Sequence, residues 1–166
     1  MILNIDTCED GRWFTWFYSH LDPNTMEAVH GDPIEDGPQM KIRNPAPLWK
    51  EQNRNVKTTT KMVPNPKTRG MDAVKIPVDL TSEEDKANDE AYADYVIMEV
   101  KDFELNNKAI TGTREEKIEM MKTPQVSMFV MRCVQILQES SVQEAVAKGK
   151  NSLTGSSSLT TKLDPE

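Results

Sequence analysis

The chain has 166 residues, of which 27 are acidic and 20 basic, giving a net charge of −7 and a pI near 5.0. That length suits one domain with a real core and a small appendage, and the acidic balance argues against a nucleic-acid backbone as partner, because phosphate binding needs a basic stripe. No run of about 18 apolar residues is present to span a membrane, and the opening stretch from Met1 to Trp13 has neither the basic start nor the apolar segment of a secretory signal.

Texture changes near residue 78. Eight of the ten prolines precede Leu80, and the chain divides into a β-rich N-terminal region (1–78), a helical domain (79–148) and a Ser/Thr-rich tail (149–166). The expected fold class is α+β: a small antiparallel β-hairpin region, a three-helix C-terminal unit and a disordered tail. Arg12 to Tyr18 is aromatic and strand-like, Asp22-Pro23-Asn24-Thr25 is a strong turn, and Met26 to His30 returns, which together read as a hairpin. Gln39 to Arg43 offers a third short strand. Leu48 to Val56 can make one or two helical turns, with Pro45 and Pro47 setting their start. A second hairpin runs from Thr58 to Val63, turns through Pro64-Asn65-Pro66-Lys67 and returns from Met71 to Ile76.

The helical half begins behind Thr81. Thr81 with Glu84 has capping-box spacing, and Glu83, Glu84 and Asp85 place negative charge in a first turn. The helix is expected over 82–100, with Ala87, Ala91, Tyr95 and Met98 as its apolar stripe. Asn106-Asn107-Lys108 reads as a turn tip. Thr113 and Glu116 repeat the capping box before a short helix over 114–122, and Pro124, behind Thr123, opens a third helix that continues to about residue 148. Val126, Phe129, Val130, Cys133, Ile136 and Leu137 lie on one face of it. Gly149 is expected to stop it. The tail beyond has too little apolar surface to offset its ordering entropy.

Chemistry is sparse. Cys8 and Cys133 read as two reduced thiols in a cytosolic protein, with a single long-range disulfide as the alternative. Cys8, His20, His30 and Cys133 match no zinc spacing. Asp22, Asn24 and Asp32 lack the glycine and distal glutamate of a calcium loop. The run Asn65 to Gly70 lacks the leading glycine and following helix of a phosphate loop. Glu99, Asp102 and Glu104 could supply a general acid and base, but no histidine or cation cluster accompanies them, and a solvated helix end explains them better. No catalytic residue, metal or cofactor is assigned. Methionine is the unexplained feature, with ten in the chain. Met128 and Met131 fall outside the apolar arc of the last helix, and adjacent Met120 and Met121 cannot both face one core. Flexible, polarisable methionines suit a partner-binding surface, and Met120, Met121, Met128 and Met131 are the candidates. The alternative is that a second layer of the same protein covers them.

Several short runs carry a resemblance. They are Tyr95-Val96-Ile97, Asp102-Phe103-Glu104, Thr113-Arg114-Glu115-Glu116-Lys117, Met121-Lys122-Thr123-Pro124 and Phe129-Val130, with the earlier Met40-Lys41-Ile42-Arg43-Asn44-Pro45. Together they resemble the tail assembly chaperones of long-tailed bacteriophages, although Phe103 and Leu105 stand where that family commonly has tryptophan and glycine. The resemblance implies a non-enzymatic chaperone in the host cell cytoplasm. Its partners would be the tape measure protein and the tail tube protein, with homo-oligomerisation as a further expectation and neither nucleic acid nor membrane involved. A structural virion component, such as a minor tail or connector protein, is the alternative.

Overall fold

A computed structural model describes residues 11–153. In chain order the elements are β1 (Arg12–Thr15), β2 (Ser19–Leu21), β3 (Ala28–His30), β4 (Gln39–Ile42), α1 (Ala46–Arg54), β5 (Thr58–Pro64) and β6 (Met71–Pro77). They continue with α2 (Ser82–Val96), β7 (Ile97–Lys101), β8 (Glu104–Leu105), β9 (Lys108–Ala109), α3 (Arg114–Met121) and α4 (Pro124–Leu153). The fold is α+β, as the patterning implies.

The central sheet is antiparallel with strand order β1-β4-β7. Its middle strand alternates as a half-buried strand should: Met40 and Ile42 are fully buried, while Lys41 turns outward and pairs with Glu99, its cross-strand neighbour, at 3.4 Å. β7 departs from expectation. The helix predicted over 82–100 ends at Val96, and Ile97–Lys101 is a strand on the edge of β4. The local run Val96-Ile97-Met98-Glu99-Val100 is rich in β-branched residues, which lose little when extended, and β4 offers an unpaired edge. Met98 therefore belongs to the sheet, and the buried face of α2 is Ala93 and Val96 rather than the Ala87–Ala91 stripe; Ala87 is exposed.

One core spans both halves of the chain. Phe14, Trp16, Phe17, Met40 and Ile42 from the N-terminal half pack with Val96, Ile97, Met120, Val126, Phe129, Val130, Cys133, Val134 and Leu137. The compositional boundary near residue 78 is thus not a boundary in the packing. Trp16 and Phe17 each lie 4.8 Å, centroid to centroid, from the Phe129 ring, and Phe103 meets Trp16 edge-on at 5.5 Å. These are the separations and angles at which aromatic quadrupoles attract. The same strand-like stretch is broken after Thr15. Its backbone leaves β4 so that the Trp16 N–H donates to the Pro38 carbonyl at 2.8 Å, and β2 then pairs with β3 across the expected Asp22–Thr25 turn.

The helix signals resolve closely. Thr81 and Thr113 both cap with reciprocal bonds from Glu84 and Glu116. The Glu116 carboxylate does more than the capping box requires, accepting from the N–H groups of Thr113, Gly112 and Thr111 at 3.1, 2.9 and 3.0 Å and from the Thr111 hydroxyl at 3.1 Å. These bonds, led by that from Thr113, hold its pKa below the ordinary carboxylate value. Gly112, at φ 90°, gives the loop the left-handed geometry that brings those donors together. Asn106 and Asn107, at φ 53° and 62°, form the two-residue turn joining β8 and β9. At the far end of α2 no cation lies in the last turn, and the charge arrives from elsewhere. Arg43 donates from Nε to the Tyr95 carbonyl, and its guanidinium sits 3.7 Å from the Tyr95 ring centroid. The last helix passes through the expected stop at Gly149 and runs to Leu153, so that part of the predicted tail is helical. Residues 154–166 lie outside the described residues, as does Cys8.

One element stands apart. β5 and β6 form a two-stranded ribbon whose side chains are exposed along almost its whole length. Its base is tied to α2 by Lys57, which reaches Glu84 at 2.8 Å. That bond, then the Thr81 bonds, lower the Glu84 pKa from 4.5 to about 2.

Two outcomes follow from this packing. Phe129→Ala should destabilise the fold by about 3–5 kcal/mol, the usual cost of deleting a buried aromatic ring, and chemical denaturation should show it as a lowered midpoint. Because the Glu84 pKa is depressed on folding, the clip at the base of the ribbon is intact above the ordinary pKa of 4.5 and is lost as pH falls through about 2. An NMR titration of the Glu84 carboxyl should show that depressed value in the native protein and a value moved upward in Lys57→Ala.

Candidate functional site: an apolar groove between three helices

α2, α3 and α4 meet along lines fixed by charge on one side and by apolar burial on the other. Lys117 of α3, largely buried, reaches the Asp94 carboxylate of α2 at 3.3 Å, and Arg114 approaches Asp94 and Glu90 at 3.9 and 3.8 Å. These pairs hold α3 against α2. α4 returns immediately after α3 because Thr123-Pro124 ends one helix and starts the next, and the Ser127 N–H donates to the Thr123 carbonyl at 3.0 Å. Three helices joined in this way leave a groove of about 610 Å³. Tyr92 and Ala93 line it from α2, Ile118 and Met121 from α3, and Met131 from α4, together with the charged side chains of Lys86, Asp89, Glu90 and Lys122. Burial raises the Tyr92 phenol pKa. Trp49 of α1 lies parallel to the Tyr92 ring, with centroids 6.1 Å apart and planes at 8°.

The four methionines singled out from the sequence separate here. Met131 is 63% exposed, and Met121 is partly buried against the core; these two line the groove together. Met120 is only 1% exposed and belongs to the core, so its assignment to a partner-binding surface is corrected. The reason is the phase of α3: Lys117 and Met120, three residues apart, occupy its inner face. Met128 is partly buried and does not line the groove. Tyr92, Ala93 and Ile118 were not candidates from the sequence, because nothing local distinguishes a groove wall from an ordinary helix face.

The other groups weighed for chemistry are dispersed. Glu99 is paired with Lys41 on the outer face of the sheet, Asp102 occupies a left-handed turn at φ 60°, and Glu104 lies on β8. His30 accepts or donates a 2.7 Å bond with the buried Ser19 hydroxyl; burial, then Arg132, lowers its pKa. Ser19 is fixed by Gln125 of α4, which accepts from its N–H at 3.2 Å and donates to its carbonyl at 2.7 Å. This cluster fastens the β2–β3 hairpin to the start of α4. Cys133 lies buried in the core with no disulfide partner among the described residues, and burial pushes its pKa up to about 12. Among the described residues, no group of three or more His, Cys, Asp or Glu side chains could hold a metal ion, and no helix is long and apolar enough to cross a membrane.

Comparison of the chain with protein-family models, with curated proteins and with solved structures gives no match.

The two methionine environments make opposite predictions. Met131→Glu should leave the thermal midpoint nearly unchanged, because an exposed position carries a charge at a cost within about 0.5 kcal/mol. Met120→Glu should unfold the protein or cost more than about 4 kcal/mol, since the carboxylate would be buried without a partner. Circular dichroism melts of the two variants distinguish these outcomes.

Proposed function

We propose that this protein is a tail assembly chaperone of the kind made by long-tailed bacteriophages. In this reading it binds the tape measure protein in the host cytoplasm and assists tail tube polymerisation without catalysis. The observation that carries the proposal is the methionine-edged groove between α2, α3 and α4. An amphipathic helix presents apolar residues at three- and four-residue spacing, and a cleft with Tyr92, Ile118, Met121 and Met131 on its walls suits such anchors. Methionine adapts to successive stretches of a long helix whose side chains vary, and the net charge of −7 keeps an otherwise insoluble complex dispersed. The resemblance of the runs from Tyr95 to Val130 supports the same reading.

A second reading, a structural virion component such as a minor tail or connector protein, is favoured by the exposed β5–β6 ribbon, since a solubilising groove has no need of it.

Co-expression with a tape measure protein tests the first reading. The wild-type chain should hold that protein in the soluble fraction, and the exposed-site variant Met131→Glu should lose that effect while keeping its native circular dichroism. Equal solubilisation by the folded variant would remove the groove from the mechanism. Recovery of the protein in purified particles would favour the structural reading.

A further inference from the structure

The β5–β6 ribbon poses a physical problem of its own. An isolated two-stranded ribbon is marginal in water, and this one keeps Met62 and Met71 53% and 55% exposed, with Val63 and Val74 also exposed. The strand register places Met62 opposite Ala73 and Pro64 opposite Met71, so these four share one face, with Lys75 beside them. The turn beyond carries Lys67 and Arg69, both exposed.

Its charge is also out of keeping with the chain. From Lys57 to Pro77 the cations Lys57, Lys61, Lys67, Arg69 and Lys75 face a single carboxylate, Asp72, for a net charge of +4. The chain as a whole is −7, so the remainder stands at −11. The densest opposite charge is on α2. There Glu83, Glu84, Asp85, Asp89, Glu90 and Asp94 face only Lys86, a net −5 over fifteen residues. Glu83, Asp85 and Asp89 are exposed. The ribbon's base already makes this kind of contact within the chain, through Lys57 and Glu84.

We propose that the ribbon is a self-association arm: its methionine face and basic tip dock on the acidic α2 of a second copy of this chain. Arm and receptor are different surfaces of one protomer, so the contact is heterologous and propagates head to tail unless its rotation closes a ring. The opposed charges give the contact its hold, its direction and its salt sensitivity. The receptor helix also supplies Asp89 to the groove lining, so the docked arm borders the groove, whereas Met131 lies across it on α4.

Sedimentation velocity on the full chain tests it. The wild type should form species larger than a monomer at about 0.1 M salt and dissociate toward about 1 M, as the screening length falls from roughly 10 Å to roughly 3 Å. Lys67→Glu/Arg69→Glu/Lys75→Glu should be monomeric, and so should Glu83→Lys/Asp85→Lys/Asp89→Lys. An equimolar mixture of the two should regain association, which neither variant could do if misfolded. Met62→Ser/Met71→Ser, which adds no charge to an already exposed face, should weaken assembly as well. A wild type that stays monomeric at low salt overturns the proposal, as does a mixture that fails to associate. So does a monomer that binds random-sequence duplex DNA through the arm, which would make phosphate the arm's partner. Met131→Glu should assemble like the wild type, which separates failure of the arm from failure of the groove.

Discussion

The packing of Trp16 and Phe17 on Phe129 is the constraint on which the rest of this structure depends. The two N-terminal residues lie on the strand-like stretch after β1, and Phe129 lies on the first turns of α4, more than a hundred residues later in the chain. Everything between must be arranged so that they meet. Trp16 can reach Phe129 only because the chain leaves β4 after Thr15, and that departure turns what would be one long strand into β1 and β2. Phe103 closes the cluster from the side, which fixes where the chain runs after β7. The net effect is a single core built from both halves of the sequence, in which an aromatic N-terminal segment acts as one wall of a helical packing unit.

Around that core, charge sets local geometry more than it sets stability. The Lys117 and Arg114 pairs with Asp94 and Glu90 tie α3 to α2, although pairs as open as those of Arg114 contribute little energy in water. Glu116 gathers four donors and so defines the loop before α3. Arg43 supplies the cation that the C-terminal turn of α2 lacks. In the last two cases a charged group satisfies backbone donors or acceptors at a helix end. The acidic body and the basic ribbon extend the same logic from loops to surfaces.

Much of the local structure was legible because its causes are local. The second hairpin, the turn at Asp22–Thr25, both capping boxes, the Asn106-Asn107 turn and the buried face of α4 with Cys133 each follow from residues a few positions apart. Turn propensity, capping and helical periodicity act over such spans. The helix-to-strand switch at Ile97 was not legible, because an amphipathic stripe continued through a run that β4 then claimed as an edge strand. Nor was the end of α4, where a lone Gly149 does not outweigh the helix formers around it.

The candidate site shows the same division. The sequence alone determined that methionine is abundant and that Met131 lies off the apolar arc. Only the tertiary structure decided that Met120 is buried and that Met121 and Met131 share a groove with Tyr92 and Ile118. A helix's own periodicity states which residues lie on a common face. Which face meets another helix, and where three faces leave a gap, depends on interhelical contacts that no single element encodes.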